Sequence, residues 1–590
     1  MRQNHLHLFS SLLPSCRSLV ALAAMAACAV TATARVYYVK VDGTGDGSTW
    51  EQATSSIQAA INAAQAGDEV WIAKGTYRPD SLINSTRPDC ATSHAFFLKD
   101  GVSLYGGFVG NETSTAQRKA YTLLDAVNGT ILCADDDVPD VWVRQIADGT
   151  SYRYTWQFAN DSLEVVGTHG NSTHLLFGTT TFTHPTRIDG LVLKGANANI
   201  WRVKAAGAAL YAMGNIQVSN CHFIENSSYF AAQSMTDSNT YGGAVFLYCD
   251  NGEASITDCL FERNYAHSAY GSGLGGAVYG RRVTISGCYF IDCVADDGGA
   301  VYNNGGTIEY CTFLGCYASG GGALFNNGMA SGLTVTNCRG LLGGGIYNYA
   351  GRVLNAQVAN CYADAPEYGS TMGGRGGGIY LQSGDAVNVA VYNNTAFQGG
   401  GIFVVDGKVV NATVQRNQIR ANQDADTANI GFHNPELRDG LDAEHVFNSV
   451  YLGEELNECF VQPTTWRGVA TTHADSIAVT RAYWMPRSYT RLMDKGTVAP
   501  GYEDITTDLE GNKRIVGDAI DIGAYECNMI IEHLGDVDHN GRVDIDDVNL
   551  IINIILNKAD ADDYHGRADV NNDGSVDIND MNLVINIILH

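Results

Sequence analysis

Basic side chains are scarce. The 590 residues hold 36 lysines and arginines against 63 aspartates and glutamates, a net charge of −27, and such a chain repels phosphate backbones and anionic lipid. Nucleic acid is therefore excluded as a partner. Charge of either sign is low, at 17% against a usual value of about 25%, which excludes disorder driven by charge. Ten prolines are too few for a proline-rich linker, and the 66 glycines keep no every-third-residue register, which excludes collagen. Long apolar runs are missing too. The stretch Leu19 to Val30 is short of the ~20 residues a bilayer needs, and no later segment is able to span a membrane as a helix.

That stretch follows Arg2 and Arg17 and precedes Ala32-Thr33-Ala34, the layout of a secretory signal peptide over residues 1–34. The mature chain then begins near Arg35, soluble and exported. Met25-Ala26-Ala27-Cys28 also has the look of a lipoprotein box, so lipid attachment at Cys28 is a second reading.

What is present is a repeat. The phrases "GAALY", "GGAVF", "GGAVY" (twice), "GGALF", "GGGIY" (twice) and "GGGIF" place an aliphatic residue at 210, 245, 278, 301, 324, 346, 379 and 402. The commonest step is 23 residues, with about ten added in the longer units, within the range of solenoids. Runs such as "VTISGCYFIDC" alternate with period two, the pattern of short strands, and glycine pairs punctuate them. Coils of this size predict a right-handed parallel β-helix, clearest over residues 207–420; helical solenoids would need a 3.6-residue period that is missing there. Ile57 to Ala64 carries apolar residues at helical spacing and is expected to cap the first rung, hiding its open edge.

Several columns follow from the alignment. Cys221, Cys259, Cys288, Cys311, Cys338 and Cys361 share one phrase, "SNC" through "ANC", and are expected to stack as a single buried column rather than bind metal, since zinc needs clustered ligands. Disulfides Cys288–Cys311 and Cys293–Cys316 stay open. Asn394 and Asn417 are expected to continue the small-residue stack as an amide ladder, and Glu225, Arg263 and Asp292 to form a solvated charge column. After each aliphatic residue comes an aromatic one, from Tyr211 to Phe403. If the aliphatic row faces inward, the aromatic row faces out, either as a platform for glycan at Tyr279, Tyr302, Tyr347 and Tyr380 or as a ladder stacked on itself.

"FIEN" at 223–226 and "FERN" at 261–264, alternating with "GGAV", resemble the F-x-x-N and G-G-A-[ILV] repeats of polymorphic outer-membrane proteins and adhesin-type β-helices; "FIDC" and "FLGC" depart by placing Cys293 and Cys316 at the asparagine position. "YYVKVDGTGDGSTW", "IQAAINAAQAGDEVWIAKGTY", "RIDGLVLKGANAN", "LMDKG", "TDLEGNKR" and "DIGAYE" resemble secreted pectin-lyase-fold proteins of the choice-of-anchor Q kind. The resemblance implies one β-helix over residues 35–528. Enzymes of that fold use clustered carboxylates, sometimes with calcium and a basic residue. Asp296 and Asp297 are the best pair in the repeats, but they align with Ser319 and Gly320 of a turn; Asp135 to Asp137 lie in an irregular stretch. No catalytic residue is assigned.

The chain closes on two near-duplicates, "GDVDHNGRVDIDDVNLIINIIL" and "ADVNNDGSVDINDMNLVINIIL". Asp536, Asp538, Asn540, Arg542, Asp544 and Asp547 fall at positions 1, 3, 5, 7, 9 and 12 of one loop, and Asp569, Asn571, Asp573, Ser575, Asp577 and Asp580 at those of the other, with Gly541 and Gly574 at position 6. Oxygen donors at those intervals, with glycine for the sharp turn, are what a seven-coordinate calcium loop needs; position 7 gives its backbone carbonyl. Two calcium ions are expected. Asp at position 12, a single following helix per loop and duplication 33 residues apart resemble a type I dockerin over 529–590. The resemblance implies a cohesin-like partner, read through positions 10 and 11, here Ile545, Asp546, Ile578 and Asn579. It further implies a bacterial protein, secreted or held at the cell surface, that binds or degrades extracellular polysaccharide or cell-surface glycan. A non-enzymatic adhesin is the alternative.

Overall fold

The computed structural model describes residues 34–82, 94–118, 129–135, 141–146, 156–158, 161–166, 171–198, 205–230, 238–250, 252–268, 271–364, 374–419, 429–433, 446–447, 449, 466–467, 480–481, 492, 494–517, 519–526, 534–538, 543–561, 567–571 and 573–589. No described helix is long and apolar enough to cross a membrane. The signal-peptide reading and Cys28 lie outside these residues.

The repeat coils as its spacing predicts. Leu210, Val245, Val278, Val301, Leu324, Ile346, Ile379 and Ile402 pair in parallel, each over the next, and all are fully buried. Alternation puts every second side chain into the core, and each rung hides the apolar face of its neighbour, so the fold is stabilised by stacking rather than by one globular core. Inside, Phe223, Phe261, Phe290 and Phe313 form a stacked row with ring centres 4.6, 4.8 and 4.9 Å apart. The glycine pairs have a steric cause. Gly275 takes φ +75°, and a Cβ on Gly276 would lie 2.1 Å from the Gly299 carbonyl oxygen of the next rung.

Helix Ile57–Ala63 caps the first rung. Ser56 accepts a hydrogen bond from the Ala59 amide, the Tyr37 hydroxyl reaches the Ala63 carbonyl, and Ile57, Ala60 and Ile61 are buried in the core of the coil. At the other end, strand pairing of the coil runs to Phe447. "TDLEGNKR" and "DIGAYE" do not make rungs. They lie as a strap on the flank: the Ala524 amide donates to Thr413 Oγ1 (3.0 Å), Asn388 Nδ2 donates to the Thr507 carbonyl (2.7 Å), and Tyr525 packs with Ala390 and Tyr392.

The described cysteines are buried and unpaired, and the eight at the rung corners make two columns, not one. Cys221, Cys259, Cys288 and Cys311 form the first, which continues as Leu333 and Ala356. Cys338 and Cys361 instead follow Cys293 and Cys316 in the second, because Thr334 pairs with Thr312 and Gln357 with Thr334. Both corners have the same local grammar, a left-handed residue followed by a small inward one, so the phrase alone does not say which corner it occupies. The second column runs Asn226, Asn264, Cys293, Cys316, Cys338, Cys361, Asn394, Asn417. Its asparagines form the expected amide ladder: Asn226 Nδ2 to Asn264 Oδ1 and Asn394 Nδ2 to Asn417 Oδ1 are both 3.0 Å. Two more amide rows stand elsewhere, Asn303–Asn326–Asn348 and Asn355–Asn388–Asn411. Disulfides Cys288–Cys311 and Cys293–Cys316 do not form.

Candidate calcium centre and coil surface

In the C-terminal module the acidic spacing produces converging carboxylates. Oxygens of Asp536, Asp538 and Asp547 lie within 4.8 Å of one another. Asp544 is the N-cap of helix Ile545–Ile555 in a reciprocal capping box with Asp547. Asp547 is fully buried, and burial raises its pKa although the amides of Val537, Asp538 and Asp544 donate to it. A carboxylate held that way, with two more beside it, is a hard oxygen donor set suited to calcium.

The second loop repeats the geometry. Asp580, also fully buried, accepts from the amides of Asn571 (2.9 Å) and Asp577 (2.8 Å), the same two ends of the loop that Asp547 joins in the first. Asp569 accepts from the amides of Asp573 and Gly574, and Ser575 donates to Asp573. Asn540 and Arg542 lie outside the described residues. Two residues before each buried acid, the chain exposes an apolar side chain: Ile545 is 63% and Ile578 60% accessible, with Asp546 and Asn579 exposed next to them. Val537, Val548, Ile551, Ala568 and Val584 form the small core behind.

Residues 534–589 match the dockerin type I domain. The C-terminal module is a type I dockerin. Residues 196–419 match the right-handed β-helix region, which fixes the hand of the coil. Among solved structures the chain is similar to a crystal structure of pectate lyase Pel9A, at 11% identity, with 84% of this chain and 97% of that one covered and a TM-score of 0.27. No curated protein matches.

Outside the dockerin, the aromatic row is a ladder. From Phe177 through Tyr211, Phe246, Tyr279, Tyr302, Phe325, Tyr347 and Tyr380 to Phe403, ring centres stand 4.5 to 5.6 Å apart. Tyr279 and Tyr380 are buried, Tyr302 and Tyr347 half-buried, and the faces of all four are covered by neighbours along the row. A sugar therefore meets ring edges there, not the flat faces that the sequence suggested as a platform. Burial pushes the Tyr302 hydroxyl up to about 12, so it stays protonated.

The acid pair is occupied as well. Asp296 accepts from His267 Nδ1 (3.0 Å) and from the amides of Ser268 (3.3 Å) and Gly273 (2.6 Å), which pins the base of the insert between those residues. Asp297 is half-buried beside it, and desolvation first, then the charge of Asp296, pushes its pKa up to about 6. Sequence reasoning gave this pair its turn role but missed His267, since no spacing rule links residues 29 apart on successive rungs. Glu225, Arg263 and Asp292 do stack as a column, at a left-handed corner with φ +54°, +50° and +50°, and Arg263 binds Glu225 at 3.0 Å.

Proposed function

We propose that this is an exported polysaccharide-binding component which its dockerin fixes into a larger assembly by a calcium-dependent contact with a cohesin-like domain. The observation that carries the reading is the pairing, in both dockerin loops, of a buried position-12 aspartate with an exposed isoleucine two residues before it. Calcium would be held by Asp536, Asp538, Asp544 and Asp547 in one loop and by Asp569, Asn571, Asp573, Asp577 and Asp580 in the other, with Asn540 and the backbone carbonyls of Arg542 and Ser575 completing the sets. Bound calcium supplies charge compensation: from Glu532 onward the chain holds 13 acids and 3 bases, and without the ion they repel one another. With the loops ordered, the helix starts present Ile545, Asp546, Ile578 and Asn579 as two similar patches.

Binding rather than cleavage is the activity proposed for the coil, because Asp296 is committed to His267 and two amides. The test is capture of the mature chain on a panel of immobilised cohesins with calcium or chelator, alongside product release from neutral and acidic polysaccharides. Capture that needs calcium and is lost when Ile545 and Ile578 are both changed to Asp supports the reading. Capture in chelator, or none with any cohesin, refutes the tether; released oligosaccharide refutes the non-catalytic role.

A further inference from the structure

At one corner of each rung, a single residue adopts a left-handed backbone. Asn220, Asp258, Gly287, Tyr310, Gly332, Asn355, Asn388 and Asn411 form this column, with φ between 50° and 65°. Seven are Asn, Asp or Gly, the types that reach this region at least cost. Tyr310 is the exception, and for a bulky side chain this conformation is strained. The fold gains no burial in return, for Tyr310 is 71% exposed. Its ring lies along Gly332 of the next rung, where a Cβ would come within 2.7 Å of Cδ1 and 3.0 Å of Cε1. The missing side chain at Gly332 makes room for that side of the ring, and the rest of the ring stands open to solvent. Tyr289, on the adjoining strand one rung earlier, is 37% exposed.

We propose that Tyr310, with Tyr289 beside it, is a docking site for the pyranose rings of a neutral polysaccharide. An open aromatic face takes the C–H side of a sugar ring, and the carboxylates of Glu309, next to it in the chain, and of Asp258, two rungs along the same corner with its Oδ1 over Gly287, would accept hydrogen bonds from the hydroxyls of an extended chain. The net charge of −27 disfavours polyuronates. The proposal rests on the polysaccharide reading above and moves the contact away from the ladder, whose ring faces are covered.

Affinity electrophoresis of the mature chain in gels containing galactomannan, xyloglucan or mixed-linkage glucan, with polygalacturonate as the anionic control, tests it. Tyr310→Asn gives the corner a residue suited to it, so its melting temperature is expected to hold or rise. At least one neutral polymer should retard the parent, and Y310N should bind about tenfold more weakly, the loss of one stacking contact. Equal retardation of Y310N overturns the site while leaving the polysaccharide reading intact. Retardation by polygalacturonate alone also overturns the site, and no retardation by any polymer overturns both.

Discussion

Cys338 stacks on Cys316, not on Cys311, although its phrase in the sequence reads like the one that holds Cys311. The eight cysteines of the two columns are almost wholly enclosed, and burial raises the pKa of Cys293, Cys316 and Cys338 well above the ordinary thiol value. Reactivity follows the thiolate fraction and exposure. A thiol reagent added to the native chain should leave these eight unmodified for hours and label all of them in denaturant; rapid native labelling would show that the coil opens.

The second column exchanges cysteine for asparagine along its length, which makes a substitution readable. In Cys361→Asn the new amide is positioned to donate to Asn394 Oδ1, which already accepts from the Cys361 backbone amide. The expected cost is under about 1 kcal/mol, whereas Cys361→Leu overfills the same place at about 1–3 kcal/mol. Chemical denaturation of both variants gives the comparison; equal losses would contradict the ladder.

Phe290 has a stacked ring on either side, 4.8 and 4.9 Å away, and no exposure. Phe290→Ala should cost about 3–5 kcal/mol, well above Tyr302→Ala in the half-buried outer row. A larger loss from the tyrosine would reverse inside and outside.

Glu526 in the strap is buried beside Arg514, and burial pushes its carboxyl up to about 7 from an ordinary 4.5. A carboxyl raised in the fold contributes stability fully below its unfolded pKa and loses it as pH rises through the folded one. Thermal stability attributable to this group should therefore fall between pH 4.5 and 7, by roughly 1–3 kcal/mol, and Glu526→Gln should flatten that part of the profile. A parent and variant with parallel profiles from pH 5 to 8 would contradict it.

The coil was legible in the sequence because each rung repeats its corner glycines and inward aliphatics at a fixed step, and the dockerin because metal coordination dictates residue type at every second position. The aromatic row at Tyr279 and Tyr302 was legible as a row, but not in its use, since ring-on-ring contact depends on the rung separation and on the χ angles. Cys338 was misplaced because two corners share one grammar. His267 and Asp296 meet only across rungs. The strap from Asp494 to Glu526 has no period at all, and its place on the flank depends on contacts such as Ala524 with Thr413.

The central claim is that calcium orders the dockerin and thereby the tether. Calcium titrated calorimetrically into the metal-free mature chain, with the helical signal followed in parallel, tests it directly. Two ions should bind with a gain in helicity, and Asp547→Ala and Asp580→Ala should each remove one. A chain that is equally helical in chelator, or that binds fewer than two ions, would contradict it.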